Sequence, residues 1–230
     1  MKRPMNTLDK EKKHLADQFR KNGYIIDKVI YEAFLKVPRE EFVLEEDRQH
    51  AYEDHPLPVL RNQTISAPHM CMLILSYGDF RPGQKVLEVG SGTGYQAALI
   101  AELVGPDGLV YGIERHDILA EFGMMNLERT GYSDRVLVIA GDGTLGWPDN
   151  EVPPFDRIVI TAAGPQIPQP LINQLKTGGK LFMPLGDVYI FQNWIEVIKL
   201  SENEIKRKNL IEVRFVPLIG RYGLKEEYEF

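Results

Sequence analysis

Lys85-Val-Leu-Glu-Val-Gly-Ser-Gly-Thr-Gly-Tyr95 is a short apolar run that passes directly into three alternate glycines. Val86, Leu87 and Val89 have the continuous hydrophobicity of a buried strand. Gly90, Gly92 and Gly94 permit backbone conformations and close approaches that a Cβ would forbid. The residues that follow, Tyr95 to Val104, carry apolar side chains at helical spacing through Ala98, Leu99, Ala101, Leu103 and Val104. Strand, glycine turn and helix N-terminus together predict a pocket for a nucleotide-like ligand at the carboxyl edge of a parallel sheet.

The glycine spacing narrows the ligand. A dinucleotide fingerprint reads G-x-G-x-x-G, whereas here it is G-x-G-x-G with Glu88 two residues before the first glycine. A carboxylate at that place repels a pyrophosphate and suits a cation. S-adenosylmethionine carries an ammonium and a sulfonium and has no phosphate. Glu114 closes the next predicted strand, Leu109–Glu114, where an acid can accept both ribose hydroxyls. Asp142, in Ala140-Gly-Asp-Gly143, follows a third predicted strand at a place where an adenine amino group could be met. An ordinary turn with surface acids is the alternative; three acids at the ends of three successive strands weigh against it.

The 230 residues suffice for one sizeable core, and the composition is that of an ordinary globular protein. A net charge of −6 argues against non-specific nucleic-acid binding, which needs a basic face. No apolar run approaches the roughly 18 residues of a membrane span. Met1-Lys-Arg-Pro4 is basic, but Met5–Asp17 is polar where a signal peptide needs an apolar core. The single cysteine, Cys71, excludes an intramolecular disulfide and a cysteine-based zinc site. A cytoplasmic protein without membrane or nucleic-acid partners is expected, with a monomer favoured.

Outward from the glycine turn, strands at 85–89, 109–114, 135–139 and 155–161 alternate with helical segments. Pro170–Lys176 reads as a short helix and Gly179–Pro184 as a fifth strand, with a closing hairpin at 193–200 and 211–217. The alternation implies an α/β, Rossmann-like fold, a doubly wound and mostly parallel sheet that the closing hairpin makes a mixed sheet of seven strands. Upstream lie two helices within 8–37, the second striped by Ile26, Val29, Ile30, Ala33, Phe34 and Val37 and ended by Pro38. Residues 51–68 are irregular and polar, and Met70–Tyr77 reads as a helix. One domain spanning 1–230 is expected: N-terminal helices and a substrate loop to residue 80, a cofactor core at 81–186, then C-terminal strands and a charged tail from Arg221 that is poorly ordered at its end. The Lys206-Arg-Lys208 cluster reads as the solvated end of the hairpin. Trp147, Trp194, Met124 and Met125 read as packing residues.

The second informative stretch is Asn62-Gln-Thr-Ile-Ser-Ala-Pro-His-Met70, polar and glycine-free just before the cofactor strand. It reads either as a surface connection or as a loop over the cofactor methyl that presents donors to a substrate. With Tyr52-Glu-Asp54, Gly141-Asp-Gly143, Pro154-Phe-Asp156, Ala162-Ala163 and Val213-Arg-Phe-Val-Pro-Leu218, it resembles the protein-L-isoaspartate O-methyltransferase family over nearly the whole chain. The glycine strand alone marks only the wider methyltransferase class. The resemblance implies S-adenosylmethionine as methyl donor and S-adenosylhomocysteine as product. It further implies methylation of the free carboxylate of L-isoaspartyl residues in damaged proteins and peptides, then succinimide closure and partial return to aspartate. It maps the family's active-site serine onto Ser66. The cofactor contacts it implies are Thr64, Ile65, His69, Glu88, Gly90, Gly92, Gly94, Glu114, Asp142 and Gly143. Around the substrate it implies Ser66, Ala67, Pro68, Val216, Pro217 and Leu218. Glu88 stands where some members carry aspartate, and Ile219 where animal members carry threonine.

The chemistry fits these residue types. A substrate carboxylate with a pKa near 4 is already the nucleophile at neutral pH, so orientation and exclusion of water are required and a general base is not. Ser66 is a carboxylate positioner; no base-and-orienter pair is visible beside it in sequence, so it is not read as a covalent nucleophile. His69, at a helix start, reads as a capping or packing residue with a place near substrate or cofactor. No metal site is expected. Nucleobase amino-methyltransferases are disfavoured because Pro153-Pro-Phe155 precedes the fourth strand and Ile160-Thr-Ala-Ala-Gly164 follows it. A cysteine-nucleophile enzyme needs a thiol at that edge, and Cys71 is elsewhere. A non-catalytic binding module would show erosion of the glycines, Glu88, Glu114 or Ser66, and none is eroded.

Overall fold

The structure is a computed structural model and describes residues 7–228. The basic start at 1–4, the beginning of the polar stretch from Met5 and the extreme end of the tail lie outside the described residues. In chain order the elements begin with α1 (Thr7–Lys21), α2 (Lys28–Lys36), the two-residue strands β1 (Leu57–Pro58) and β2 (Thr64–Ile65), and α3 (Pro68–Gly78). Then come β3 (Lys85–Val89), α4 (Tyr95–Val104), β4 (Leu109–Glu114), α5 (Asp117–Arg129), β5 (Val136–Ala140) and β6 (Phe155–Ile160). The chain closes with α6 (Gln169–Gln174), β7 (Leu175–Leu185), β8 (Gln192–Ser201) and β9 (Glu204–Val213).

Seven strands form one sheet in the order β5-β4-β3-β6-β7-β8-β9. The first five are parallel, and β7, β8 and β9 pair antiparallel. The chain winds outward from β3 through β4 to β5, then returns to the other side of β3 as β6. The carboxyl ends of β3 and β6 therefore flank the switch point, where an α/β sheet opens a crevice for ligand. Strands buried on both faces need continuous apolar runs, which Val86, Leu87, Ile158, Val159 and Ile160 supply at 0–1% exposure.

Gly23, with φ +78°, ends the first helical segment, and Asp27 caps α2 through its side chain to Ile30 N at 2.9 Å. Trp194 is buried beside Phe182, and Trp147 packs edge-on against Tyr111 at 4.9 Å, both as structural residues. Met124 packs on the core, while Met125 is exposed. Among the described residues no helix is long and apolar enough to cross a membrane.

Several expected boundaries move. The 135–139 strand is Val136–Ala140, and α3 starts two residues early, at Pro68, whose fixed φ suits a first helical turn. The predicted helix to Lys176 stops at Gln174, because the strand begins at Leu175 and runs through Lys176-Thr-Gly-Gly179. The last strand is not 211–217 but Glu204–Val213, so Lys206-Arg-Lys208 lies inside an edge strand and not at a hairpin end. Lysines on an edge keep it from pairing with another chain. Residues 214–217 leave the sheet, and Pro217 bridges Ala163 beyond β6.

Candidate active site

The crevice at the switch point opens into a cavity of about 620 Å³. Its floor is the glycine turn. Gly90 has φ +87°, and a Cβ there would sit 2.6 Å from Thr161 Oγ1. That hydroxyl donates to Gly90 O at 2.7 Å, so turn and β6 exit are locked together by a contact only glycine permits. Glu114 fixes the other side: its carboxylate accepts from Gly92 N at 2.9 Å and from His116 N at 3.1 Å.

Glu88 rises from β3 into this floor with 0% exposure. Neither of its carboxyl oxygens has a hydrogen-bond partner among the described residues. Burial first, and the neighbouring Glu114 carboxyl second, push its pKa well above the usual carboxylate value. A buried carboxyl without partners is costly unless a ligand supplies them. The same holds for Ser91 Oγ, Tyr95 Oη and both amide atoms of Gln96, all on residues lining the cavity. The floor thus demands a ligand with a cationic group and with both donors and acceptors. S-adenosylmethionine, with its ammonium, carboxylate and ribose hydroxyls, meets that donor set.

The opposite wall is the 62–69 loop. It turns without glycine by placing Arg61 and Asn62 at φ +60° and +55°. Thr64, Ile65, Ser66, Ala67 and His69 line the cavity. The Ser66 hydroxyl has no protein partner among the described residues, and its carbonyl accepts from Arg39 Nη2 at 2.8 Å. Arg39 is fully buried, donates through Nε to Ala51 O at 2.8 Å, and lies over the Tyr95 ring at 5.0 Å. A guanidinium fork suits two carbonyls whose separation is to be fixed.

His69 stands at the end of this wall. Both its backbone N and its Nδ1 bind Asp54 Oδ1 at 2.9 Å. Burial pushes the Asp54 carboxyl up, but the two His69 bonds outweigh it and hold it below the usual value. Asp54 is therefore an ionised acceptor, and the His69 Nδ1 carries the hydrogen. So the fold does assemble an imidazole–carboxylate pair on the wall that holds Ser66. Cys71 lies behind the loop, its thiol pushed up to about 11 by burial, which removes it as a nucleophile.

The third wall comes from the C-terminal segment. Ala163 and the 216–218 backbone exchange hydrogen bonds of 2.7 Å, which brings Val216, Pro217 and Leu218 to the cavity. Glu88, Gly90, Gly92, Glu114 and Gly143 also line it. Three residues expected at the site do not. Pro68 is buried as the first residue of α3. Gly94, at φ +85°, gives way to Leu127 of α5, whose side-chain carbons would lie 3.0 Å from a Cβ. Asp142 binds Thr144 N and Oγ1 through one oxygen and Arg221 N at 2.7 Å through the other, and borders a separate hollow beside Arg115 and Leu224. It pins the C-terminal wall, while its neighbour Gly143 faces the cavity. Conversely, Ser91, Tyr95 and Gln96 line the cavity without standing out in sequence, although their place in the glycine turn and first helical turn is a signal for them. Arg39 and Asp54 approach Ser66 and His69 from distant sequence, which no local pattern reveals.

Comparisons with known proteins point one way. The profile of the Protein-L-isoaspartate(D-aspartate) O-methyltransferase family matches residues 10–223. A protein-L-isoaspartate O-methyltransferase from Hyperthermus butylicus is 50% identical over 94% of this chain and 91% of its own. One from Staphylothermus marinus is 48% identical over 95% and 98%. Among solved structures, a Plasmodium falciparum chain assigned to the same enzyme class, in complex with S-adenosyl-L-homocysteine, superposes with a TM-score of 0.80. It is 28% identical, and the match covers 90% of this chain and 98% of that one.

Proposed function

The chain belongs to the protein-L-isoaspartate(D-aspartate) O-methyltransferase family, a family of S-adenosylmethionine-dependent protein-repair enzymes, and from that premise we propose how its own residues perform the reaction. The substrate is the free carboxylate of an L-isoaspartyl residue in a damaged protein or peptide. The observation that carries this reading is that Glu88, a buried carboxyl without a hydrogen-bond partner among the described residues, and the Ser66 loop face one cavity.

When bound, S-adenosylmethionine supplies a methyl group on a sulfonium that departs as a neutral thioether, leaving S-adenosylhomocysteine. Glu88, Gly90, Gly92, Glu114 and Gly143 are the residues proposed to hold it, with Ser91, Tyr95 and Gln96 completing the polar contacts. Thr64, Ile65 and His69 face it from the loop. The isoaspartyl carboxylate is ionised at neutral pH, so the chain needs no base to create the nucleophile. Ser66 holds that carboxylate in line through its hydroxyl, and Arg39 holds Ser66 by its carbonyl. The apolar wall of Val216, Pro217 and Leu218 excludes the water that would blunt the anion. The Asp54–His69 pair keeps the end of the loop in place and offers the other imidazole nitrogen to the substrate backbone. We further propose that the whole chain acts as one monomeric domain in the cytoplasm.

Ser66→Ala tests the assignment. It is expected to lower kcat/KM for an isoaspartyl peptide roughly 10- to 100-fold, as a carboxylate loses its orientation. Affinity for S-adenosylmethionine by calorimetry is expected to change less than about threefold, about 0.6 kcal/mol. An unchanged kcat/KM would remove Ser66 from the site.

A further inference from the structure

The connection from β7 to β8, residues 186–191, stands at the same sheet edge as the carboxyl ends of β3 and β6. It carries Tyr189, Ile190 and Phe191 in succession, exposed by 59%, 64% and 67%. Three consecutive large apolar side chains in water are unusual, because each leaves apolar surface exposed that a core would bury. The connection is built to hold them there. Gln192, 1% exposed, donates through Nε2 to Asp187 O at 2.9 Å and Ile190 O at 2.8 Å. Its Oε1 accepts from Phe215 N at 2.9 Å, tying the connection to the C-terminal wall. Asp187 adds a turn bond to Tyr189 N at 2.9 Å.

This rim is continuous with the catalytic cavity. Val188 and Phe191 line the cavity together with Phe215 and Ser66. A polypeptide whose isoaspartyl carboxylate reaches Ser66 must leave the cavity on both sides of that residue, and Phe191 stands at the mouth. A second copy of this chain seated on the rim would cap the mouth such a substrate needs.

We propose that Ile190 and Phe191 form a docking rim for apolar side chains adjacent to the isoaspartyl residue, so that the enzyme selects damaged segments whose flanks come from a protein core. This rests on the reaction assigned above. Segments that are buried in an intact protein become available only on unfolding, and an apolar rim favours them over ordinary polar loops.

The test uses two isoaspartyl peptides, identical except for leucine or glycine on each side of the isoaspartate. The unmodified chain is expected to favour the leucine peptide by about tenfold in kcat/KM, mainly through KM. In Ile190→Ser/Phe191→Ser the leucine peptide is expected to lose about tenfold and the glycine peptide about twofold or less, about 0.4 kcal/mol. Both substitutions are at exposed positions, and titration with S-adenosylmethionine reports that the variant is folded. Equal losses on the two peptides, or no loss on either, would overturn the rim alone. A change confined to self-association in light scattering, with peptide preference kept, would overturn it in favour of a contact between copies. No methylation of either peptide by the unmodified chain would overturn the reaction assignment itself, and the rim with it.

Discussion

Glu88→Gln is expected to weaken S-adenosylmethionine binding by roughly two orders of magnitude, about 2.7 kcal/mol, while raising the melting temperature of the ligand-free chain. Both effects come from one carboxyl. It is fully buried, it has no hydrogen-bond partner among the described residues, and burial together with Glu114 raises its pKa well above the usual 4.5. An acid whose folded pKa exceeds its unfolded one stabilises the fold below about pH 4.5 and loses that contribution as pH rises through the folded value. The ligand-free native chain should therefore lose stability with rising pH in that window, and the glutamine variant should not show this component. Binding of a cation requires the ionised form, so native affinity should rise with pH across the same range while that of the variant stays flat. At this chain length each kcal/mol shifts the melting temperature by about 2–4 °C, within reach of calorimetry. An affinity unchanged by the substitution would mean that the cation is held elsewhere.

Arg39→Ala has the largest expected cost to the fold, about 3–5 kcal/mol, from the buried Ala51 carbonyl left without its donor, the loss of the main hold on the part-buried Ser66 carbonyl and a cavity beneath the Tyr95 ring. The melting temperature should fall by about 6–20 °C. The arginine joins Ala51 O and Ser66 O, so the loss reaches the active-site loop directly. Arg39→Lys retains the charge but not the fork, and it separates the two roles. It should recover part of the stability while KM for an isoaspartyl peptide remains raised several-fold, because the Ser66 carbonyl is held at one point instead of by a planar group. Recovery of both stability and KM by lysine would reduce Arg39 to a buried charge without a positioning role.

The parts of the fold that were legible in sequence are those whose physics is local. Strands β3, β4 and β6 are buried on both faces, so Val86-Leu-Glu-Val89 and its counterparts show as apolar runs with turn residues after them. The turn itself is legible because Gly90 meets Thr161 too closely for any other residue. The edge strand β9 is the opposite case. Residues 204–209 are exposed, so neither alternation nor an apolar run marks them, and the apolar stretch 211–217 attracts the strand assignment instead. The lower part of β7 hides for a similar reason, since Lys176-Thr-Gly-Gly179 looks like a turn. In the site, the glycine turn and the 62–69 loop were visible as motifs. Asp142 was visible as an acid after a strand, yet its carboxylate is spent on Thr144 and Arg221, a partnership 79 residues long. Arg39 and Asp54 depend on contacts across 27 and 15 residues that only the packing of α2, α3 and the loop brings about.

The repair reaction is tested most simply by transfer of a labelled methyl group from S-adenosylmethionine to two peptides that differ only in carrying L-isoaspartate or L-aspartate at one position. Base-labile label, the signature of a carboxyl ester, is expected on the isoaspartyl peptide alone. Label on neither peptide, from a chain that binds the cofactor in calorimetry, would overturn the assignment of the isoaspartyl carboxylate as the methyl acceptor.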